Sequence, residues 1–395
     1  MQKFKINFIN NSYRRYYQKH RKEILGAIDK CYAEGEFVMR KALESFEQNL
    51  AKFLKVKYAL GVGSGTEALK IAYKALGLKP GDEVITVSHV FIAPIEEIVH
   101  LGAKPVLIDV NPDGLMNTDL IEAAITPKTV GIVPVHLSGK VCDMTKIMAI
   151  ARKHKLWVVE DACQALGARH KGRMAGTIGD IGCFSHIAPK TLGAAGDGGS
   201  VVTNYKALAV KISLLRNHWN ITQGVLHGFQ PKAPKVMDWG YNSRLDNILA
   251  ATLDIKLKYY PAMLARRRAI CMMYNEGLKK LDRNWMLKEG KIKENDYGIF
   301  PLELPIQQKN QIYQEYIVKI KDMWKFKAFM DKKGIELLIR DTTPNHKIYA
   351  RFFPKNLKLP VTEELATSSV RLPTYPELRN DEVKTIISAI NEFYK

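Results

Sequence analysis

The chain lacks most of what would send it to a membrane, to an oxidising compartment or to a metal. No apolar run approaches the roughly 20 residues that a membrane-spanning helix needs. The opening stretch, MQKFKINFINNSYRRYYQKHRKE, has no continuous apolar core of the secretory kind. Cysteine is scarce and scattered: Cys31, Cys142, Cys163, Cys183 and Cys271 show no paired spacing. That excludes a disulfide framework or a cysteine metal site, and it points to reduced thiols in a cytoplasm with no metal bound. There is also no zinc-finger spacing, ribonucleoprotein motif or long basic tail to give the formal charge of +20 a nucleic-acid role. The lysines are spread along the chain, as suits a solvated surface or the capture of an anionic small molecule. The densest basic run, Arg266-Arg267-Arg268, reads as one solvated helix face with its stems packed beneath.

What is present is a long α/β pattern. Residues 22–32 and 40–53 have apolar positions at helical spacing. From residue 58 to about 204, strand patterns (83–87, 105–110, 130–135, 156–160) alternate with helical ones (67–75, 145–154). Such alternation predicts a mainly parallel sheet covered on both faces. A polar loop at 216–239 breaks it, and residues 247 to about 274 read as one or two long helices. A smaller domain follows and ends in a helix over 381–393. The predicted domains are 1–255 and 256–395.

The stretch 179–204, GDIGCFSHIAPKTLGAAGDGGSVVTN, holds a lone lysine, Lys190, between a proline loop and a glycine-dense run. Glycines let a backbone approach a flat ligand, and a desolvated lysine amine becomes nucleophilic. Taken alone, the stretch is equally a solvated loop lysine beside a turn. Two other segments bear on it. Trp157-Val158-Val159-Glu160-Asp161 is an apolar strand ending in acids, and ligands of open α/β sheets bind at such ends. Gly61-Val62-Gly63-Ser64-Gly65-Thr66-Glu67 runs from a strand through a Gly/Ser turn into a helix, a ready phosphate site. A Schiff-base lysine, a carboxylate for a ring nitrogen and a phosphate cradle suit pyridoxal 5'-phosphate.

With these residues in place, the chain resembles the DegT/DnrJ/StrS family of nucleotide-sugar aminotransferases. The resemblance rests on GSGTEAL, EVITVSHVFIA, LGAKPVLIDV, IVPVHLSGK, VVEDACQALGA, GDIGCFSHIAPKTLGAAGDGG, GYNSRLDNILAA and LPTYPEL, in family order. It implies a fold-type-I architecture: a large domain with a mostly parallel seven-stranded sheet between helices, and a smaller C-terminal α/β domain. It also implies that Lys190 forms the covalent internal aldimine and that Asp161 pairs with the ring nitrogen. Gln164 falls at the ring's 3-hydroxyl side, Phe91 on its face, and Gly65, Thr66 and Ser185 at its phosphate. Asn242 would reach the phosphate of a neighbouring subunit in a homodimer with shared sites, with a local helix cap by Asn242 or Ser243 as the lesser reading. The implied reactants are a nucleotide-diphosphate keto-sugar and an amino donor, L-glutamate, with no nucleic acid and no membrane.

The sequence departs from the family at His89 and Val90, at His186, and at Arg340-Asp341-Thr342-Thr343-Pro344-Asn345-His346. His186, Arg340 and His346 are candidate substrate residues, with a packed histidine the other reading of His186. Two alternatives stand beside the aminotransferase: a sugar dehydratase of the same family, which normally lacks the lysine, and a DNA-binding regulator that keeps only the fold.

Overall fold

A computed structural model of the chain describes residues 4–8, 10–219, 238–293 and 302–395. Most of the predicted polar loop, residues 220–237, lies outside the described residues. Seven strands form one sheet: β1 Tyr58–Val62, β2 Glu83–Val87, β3 Lys104–Ile108, β4 Thr129–Ile132, β5 Trp157–Asp161, β6 Ile181–Ser185 and β7 Gly199–Thr203. Their spatial order is β1-β7-β6-β5-β4-β2-β3. The four pairings from β6 across to β3 are parallel, and β7 is antiparallel to both of its neighbours. The mainly parallel sheet expected from the strand–helix alternation, with the seven strands that the family resemblance implies, is what the chain forms.

Both faces of this sheet are covered, so its strands are apolar on both sides. Alternate residues serve different cores: Val158 and Val202 face one layer, Val159 and Val201 the other. The first layer contains α2 (Lys41–Leu54), with Phe46 and Leu50 fully buried. The second is built on α3 (Gly65–Ala75), whose Ala68, Leu69, Ile71 and Ala72 are buried at helical spacing. The N-terminal helix α1 (Asn10–Glu34) begins well before the stretch 22–32 read from the sequence.

A single helix, Asn247–Leu278, links the two domains. Its buried positions Leu253, Leu257, Tyr260, Leu264, Arg267, Cys271, Tyr274 and Leu278 recur every three or four residues, one continuous stripe. Leu257, Tyr260 and Leu264 pack in the large-domain core, while Ile270, Cys271, Tyr274 and Leu278 pack in a third core. The boundary predicted at 255/256 therefore falls inside this helix, and the packing changes hands between Leu264 and Ile270. The third core also holds the antiparallel pair Tyr316–Lys319 and Ser369–Leu372 and the C-terminal helix Asn380–Phe393. The N-terminus joins it too, which residue order alone does not suggest. Ile6 is buried there and bridges Ile335, and the Arg15 guanidinium grips both Glu382 oxygens at 2.6 and 2.7 Å.

Candidate active site

The strand ends of the large domain, α1, the linking helix and the small domain enclose a cavity of roughly 500 Å³. Phe91, Gln164 and Lys190 lie on its wall together. Phe91 is 64 % exposed, a large ring face without protein cover. The carbonyl of Gln164 accepts from Ser138 N–H at 2.8 Å, which fixes the amide in place. Lys190 follows β6 on a turn in which its own N–H bonds Ile187 O at 2.9 Å. The Gln314 side chain brackets that lysine: its Oε1 accepts from Thr191 N and its Nε2 donates to Pro189 O, each at 3.0 Å. Tyr260 anchors the same loop through Thr191 Oγ1 at 2.6 Å.

The two acids that end β5 point to opposite faces, as neighbours in a strand must. Glu160 is structural. It is fully buried and accepts from the N–H groups of Gly176, Ile178 and Gly179 at 2.5–2.9 Å, with His136 Nε2 at 2.8 Å. Asp161 is 6 % exposed, its Oδ1 accepts from Cys163 N–H at 3.1 Å, and no cation pairs with it among the described residues. It lies opposite Cys183 in β6, the strand that ends at Ser185.

Ser185 in turn lies against the start of α3. A Cβ on Gly65 would fall 2.6 Å from Ser185 Cβ, and one on Gly199 would fall 2.2 Å from Ser64 O. Only glycines allow this approach. Ser64 starts the helix by accepting from Glu67 N–H at 3.1 Å, and the remaining first-turn N–H groups and the helix dipole adjoin Ser185 and Thr66. Asn242 is exposed, and its main chain pairs with Asn217. It is not a helix cap, and neither is Ser243. The long helix starts at Asn247, and the Ser243 hydroxyl donates to Glu67 at 2.9 Å while accepting from Gly63 N–H at 3.2 Å.

Three of the substrate candidates separate here. Arg340 lines the cavity with a half-exposed guanidinium, 3.8 Å from Glu315. His186 and His346 do not line it, and both are structural. His186 is 1 % exposed, with Nδ1 3.0 Å from Leu192 O, Nε2 2.7 Å from Ser200 Oγ, and an edge contact to Phe46. Burial pushes its pKa down to about 4, so the ring is neutral near pH 7. His346 is 3 % exposed and clamped between Ser88 Oγ at 2.9 Å and Glu363 at 3.2 Å. His89, by contrast, is on the wall; burial, and then Arg371, bring its pKa down to about 4.

The rest of the wall was not singled out from the sequence. Arg371 donates from Nε to Glu315 at 2.8 Å and from Nη2 to Asp341 at 3.0 Å. Burial alone would raise the Glu315 pKa, but Arg371 and Arg340 outweigh it and hold the carboxylate below its ordinary value. Tyr13 and Tyr16 come from α1, Lys256 and Arg267 from the linking helix, and Tyr375 from the LPTYPEL segment. The arginine run is not a solvated face. Arg267 is 6 % exposed and donates to Tyr313 O and Thr374 O at 3.0 and 2.7 Å; Arg268 donates to Gln311 O at 3.0 Å, and Arg266 to Leu378 O. The signal was available, because Arg267 sits in the apolar stripe between Leu264 and Cys271. Among the described residues, no group of three or more His, Cys, Asp or Glu side chains could hold a metal ion, and no helix is long and apolar enough to cross a membrane.

With Lys190, Asp161, Gln164 and Ser185 gathered at the ends of a mostly parallel sheet, comparison with known proteins gives a consistent picture. The model of the DegT/DnrJ/EryC1/StrS aminotransferase family matches residues 18–391. The chain belongs to that family. It is 36 % identical, over 96 % of its length and 97 % of the relative's, to a dTDP-3-amino-3,4,6-trideoxy-alpha-D-glucose transaminase of Micromonospora megalomicea subsp. nigra. Among solved structures it is similar to S. venezuelae DesV in complex with a ketimine intermediate: TM-score 0.87, 31 % identity, 99 % of this chain and 98 % of that one covered. It is also similar to NtdA of Bacillus subtilis with the bound cofactor PMP: TM-score 0.82, 29 % identity, 95 % and 82 % covered. The fold is that of fold-type-I aminotransferases.

Proposed function

We propose that the protein transfers an amino group, from L-glutamate, to a ketone on a nucleotide-linked deoxysugar, with pyridoxal phosphate held covalently by Lys190. The observation that carries this reading is Asp161: a buried carboxylate at a strand end, without a cation, in the strand beside the one that leads to Ser185 and Lys190. Such a group is costly unless a charged partner arrives, and a pyridinium N–H is one. The Gly65–Ser185 contact at the start of α3 supplies the matching phosphate site, so the residues present fit the cofactor.

When bound, the cofactor supplies an electron sink; the chain's own residues supply the rest. Asp161 would keep its ring nitrogen protonated, Gln164 would hold the ring from the 3-hydroxyl side, Phe91 would cover its face, and Gly65, Thr66 and Ser185 would hold its phosphate. The Lys190 amine takes the proton from the donor's α-carbon as general base, and Gln314 steadies the loop on which it works. Arg340 faces the reactants and is a residue for the sugar nucleotide. His186 and His346 support the walls from behind.

Carbon 3 is the position to test first, since the Micromonospora relative is named for a 3-amino sugar. Incubation with glutamate and a panel of nucleotide-linked 3-keto and 4-keto hexoses should release 2-oxoglutarate and an amino sugar. The absence of both across the panel contradicts the reading. A dehydratase of this family normally lacks the lysine that lines the cavity here, and a regulator has no use for an uncompensated Asp161.

The working unit is a homodimer with shared sites. Asn242 is exposed, as are Ile187 and Trp239, large apolar groups that a second copy would cover. Mixing Lys190→Ala with Asn242→Ala protein should restore up to about half the activity of an intact site pair per mixed dimer. No recovery in proven mixed dimers places both residues in one subunit's site. Five free thiols, four of them buried, favour a reducing cytoplasm.

A further inference from the structure

The cavity holds a second lysine that the chemistry above does not use. Lys256 projects from the linking helix, donates to Gly193 O at 3.0 Å, and lies 5.2 Å from the centre of the Tyr16 ring. Gly193 is three residues past Lys190, so this ammonium stands beside the loop of the reactive lysine. No carboxylate among the described residues pairs with it. Among the described residues its partners are one backbone carbonyl and a ring face, which leaves two N–H donors of the ammonium to be met. Three more donors of wall residues, the Tyr16 and Tyr375 hydroxyls and Arg267 Nε, are buried with no hydrogen-bond partner among the described residues. Arg267 is 6 % exposed overall. Buried donors of this kind are rarely left unmet unless something else meets them. The positive corner is also distinct from the cofactor's phosphate cradle, which lies at Gly65 and Ser185.

We propose that Lys256, with the Tyr16 hydroxyl and Arg267, forms an oxyanion subsite of the cavity that binds a carboxylate or phosphate group of a reactant. The idea rests on the aminotransferase reading, which supplies two such groups: the second carboxylate of a dicarboxylic amino donor and the diphosphate of a sugar nucleotide. Both offer the same anionic oxygens to an ammonium and a hydroxyl. Burial lowers the Lys256 pKa to about 8, against the pull of Glu377, so the group is still mainly charged at neutral pH and an anion would hold it so.

The test is calorimetric binding to cofactor-loaded protein of two unreactive probes, glutarate and a nucleoside diphosphate. Because neither probe turns over, the result stands apart from whether an amino sugar is ever formed. Lys256→Met should weaken one probe by about tenfold or more, and Lys256→Arg should recover part of the loss. Tyr16→Phe, which removes only the hydroxyl, should weaken the same probe by a few-fold. Loss of glutarate identifies the donor's carboxylate as the occupant; loss of the nucleotide identifies the diphosphate. Borohydride labelling of Lys190 and the melting temperature should be unchanged in each variant, which shows that the loop and fold are intact. If the unmutated protein binds neither probe, or if Lys256→Met binds both as the unmutated protein does, the subsite does not exist. A variant that loses both probes together with the label marks Lys256 as a brace for the loop, and that too overturns the proposal.

Discussion

The cavity has two walls of different origin. The large-domain side is written in short contiguous segments: Gln164 and Lys190 on the cavity wall, Asp161 and Ser185 as the last residues of two neighbouring strands, and Gly65-Thr66 at the start of a helix. The opposite wall is assembled from five places along the chain: Tyr13 and Tyr16 in α1, Lys256 and Arg267 in the linking helix, Glu315, Arg340, and Arg371 with Tyr375. The first wall carries residues whose chemistry any pyridoxal phosphate enzyme of this kind needs. The second carries an ionic network, Arg371 between Glu315 and Asp341 with Arg340 nearby, which has the character of a recognition surface. Changes in the first wall should therefore stop the reaction in a well-folded protein, and changes in the second should alter folding or affinity.

The largest effect should come from Asp161→Asn, which keeps the shape and removes the carboxylate charge proposed to hold the ring nitrogen protonated. The expectation is a loss of kcat by several orders of magnitude with an unchanged melting temperature. Its neighbour sharpens the contrast. Glu160→Gln, which disturbs four hydrogen bonds on the other face of the same strand, should cost stability of about 3 kcal/mol in denaturant titration, because it breaks a buried charged network. Equal kinetic damage from the two would erase the distinction between the faces.

On the second wall, Arg371→Met leaves Glu315 and Asp341 without their shared guanidinium. Equilibrium unfolding should show a loss of about 3 kcal/mol. A variant as stable as the parent would mean that the network is not holding the small domain's wall.

Behind the first wall, His186 predicts a pH effect with a definite sign. In the unfolded chain it gains a proton near pH 6.5; in the folded protein it does so only at about 4. Stability is thus lost as pH falls through that window, by up to about 3 kcal/mol. His186→Phe should lessen the slope of unfolding free energy against pH between 6.5 and 4, with His89 keeping a share of it, and an unaltered slope would assign the acid sensitivity elsewhere. The smallest effect should be that of Arg340→Ala: a rise of about tenfold in KM for the sugar nucleotide, with kcat nearly unchanged. A fall in kcat alone would move Arg340 from binding to the chemistry.

The difference between the walls also explains what could be read from the sequence. The alternating strands and the parallel sheet follow from local apolar pattern, and the strand-end acids and glycine turns follow from chemistry packed into a few adjacent residues. His186 was legible only in part, because whether a ring meets a ligand or Ser200 and Leu192 depends on what the fold places behind it. Arg267 was misread as surface for the opposite reason: its charge outweighed its place in an apolar stripe, and the carbonyls that accept from it, Tyr313 and Thr374, are 46 and 107 residues away. A single helix serves two cores, which no local pattern marks, and the place of the N-terminus escaped because Ile6 finds its partner at Ile335.

The central claim, that Lys190 and no other lysine carries the cofactor, has a direct test, since Lys190 and Lys256 both line the cavity. The protein is loaded with pyridoxal phosphate, reduced with borohydride, digested and mapped by mass spectrometry. The account predicts a single pyridoxyl label on the peptide that contains Lys190, and none in Lys190→Ala protein. A label on Lys256, or on any other lysine of the unmutated protein, would contradict it.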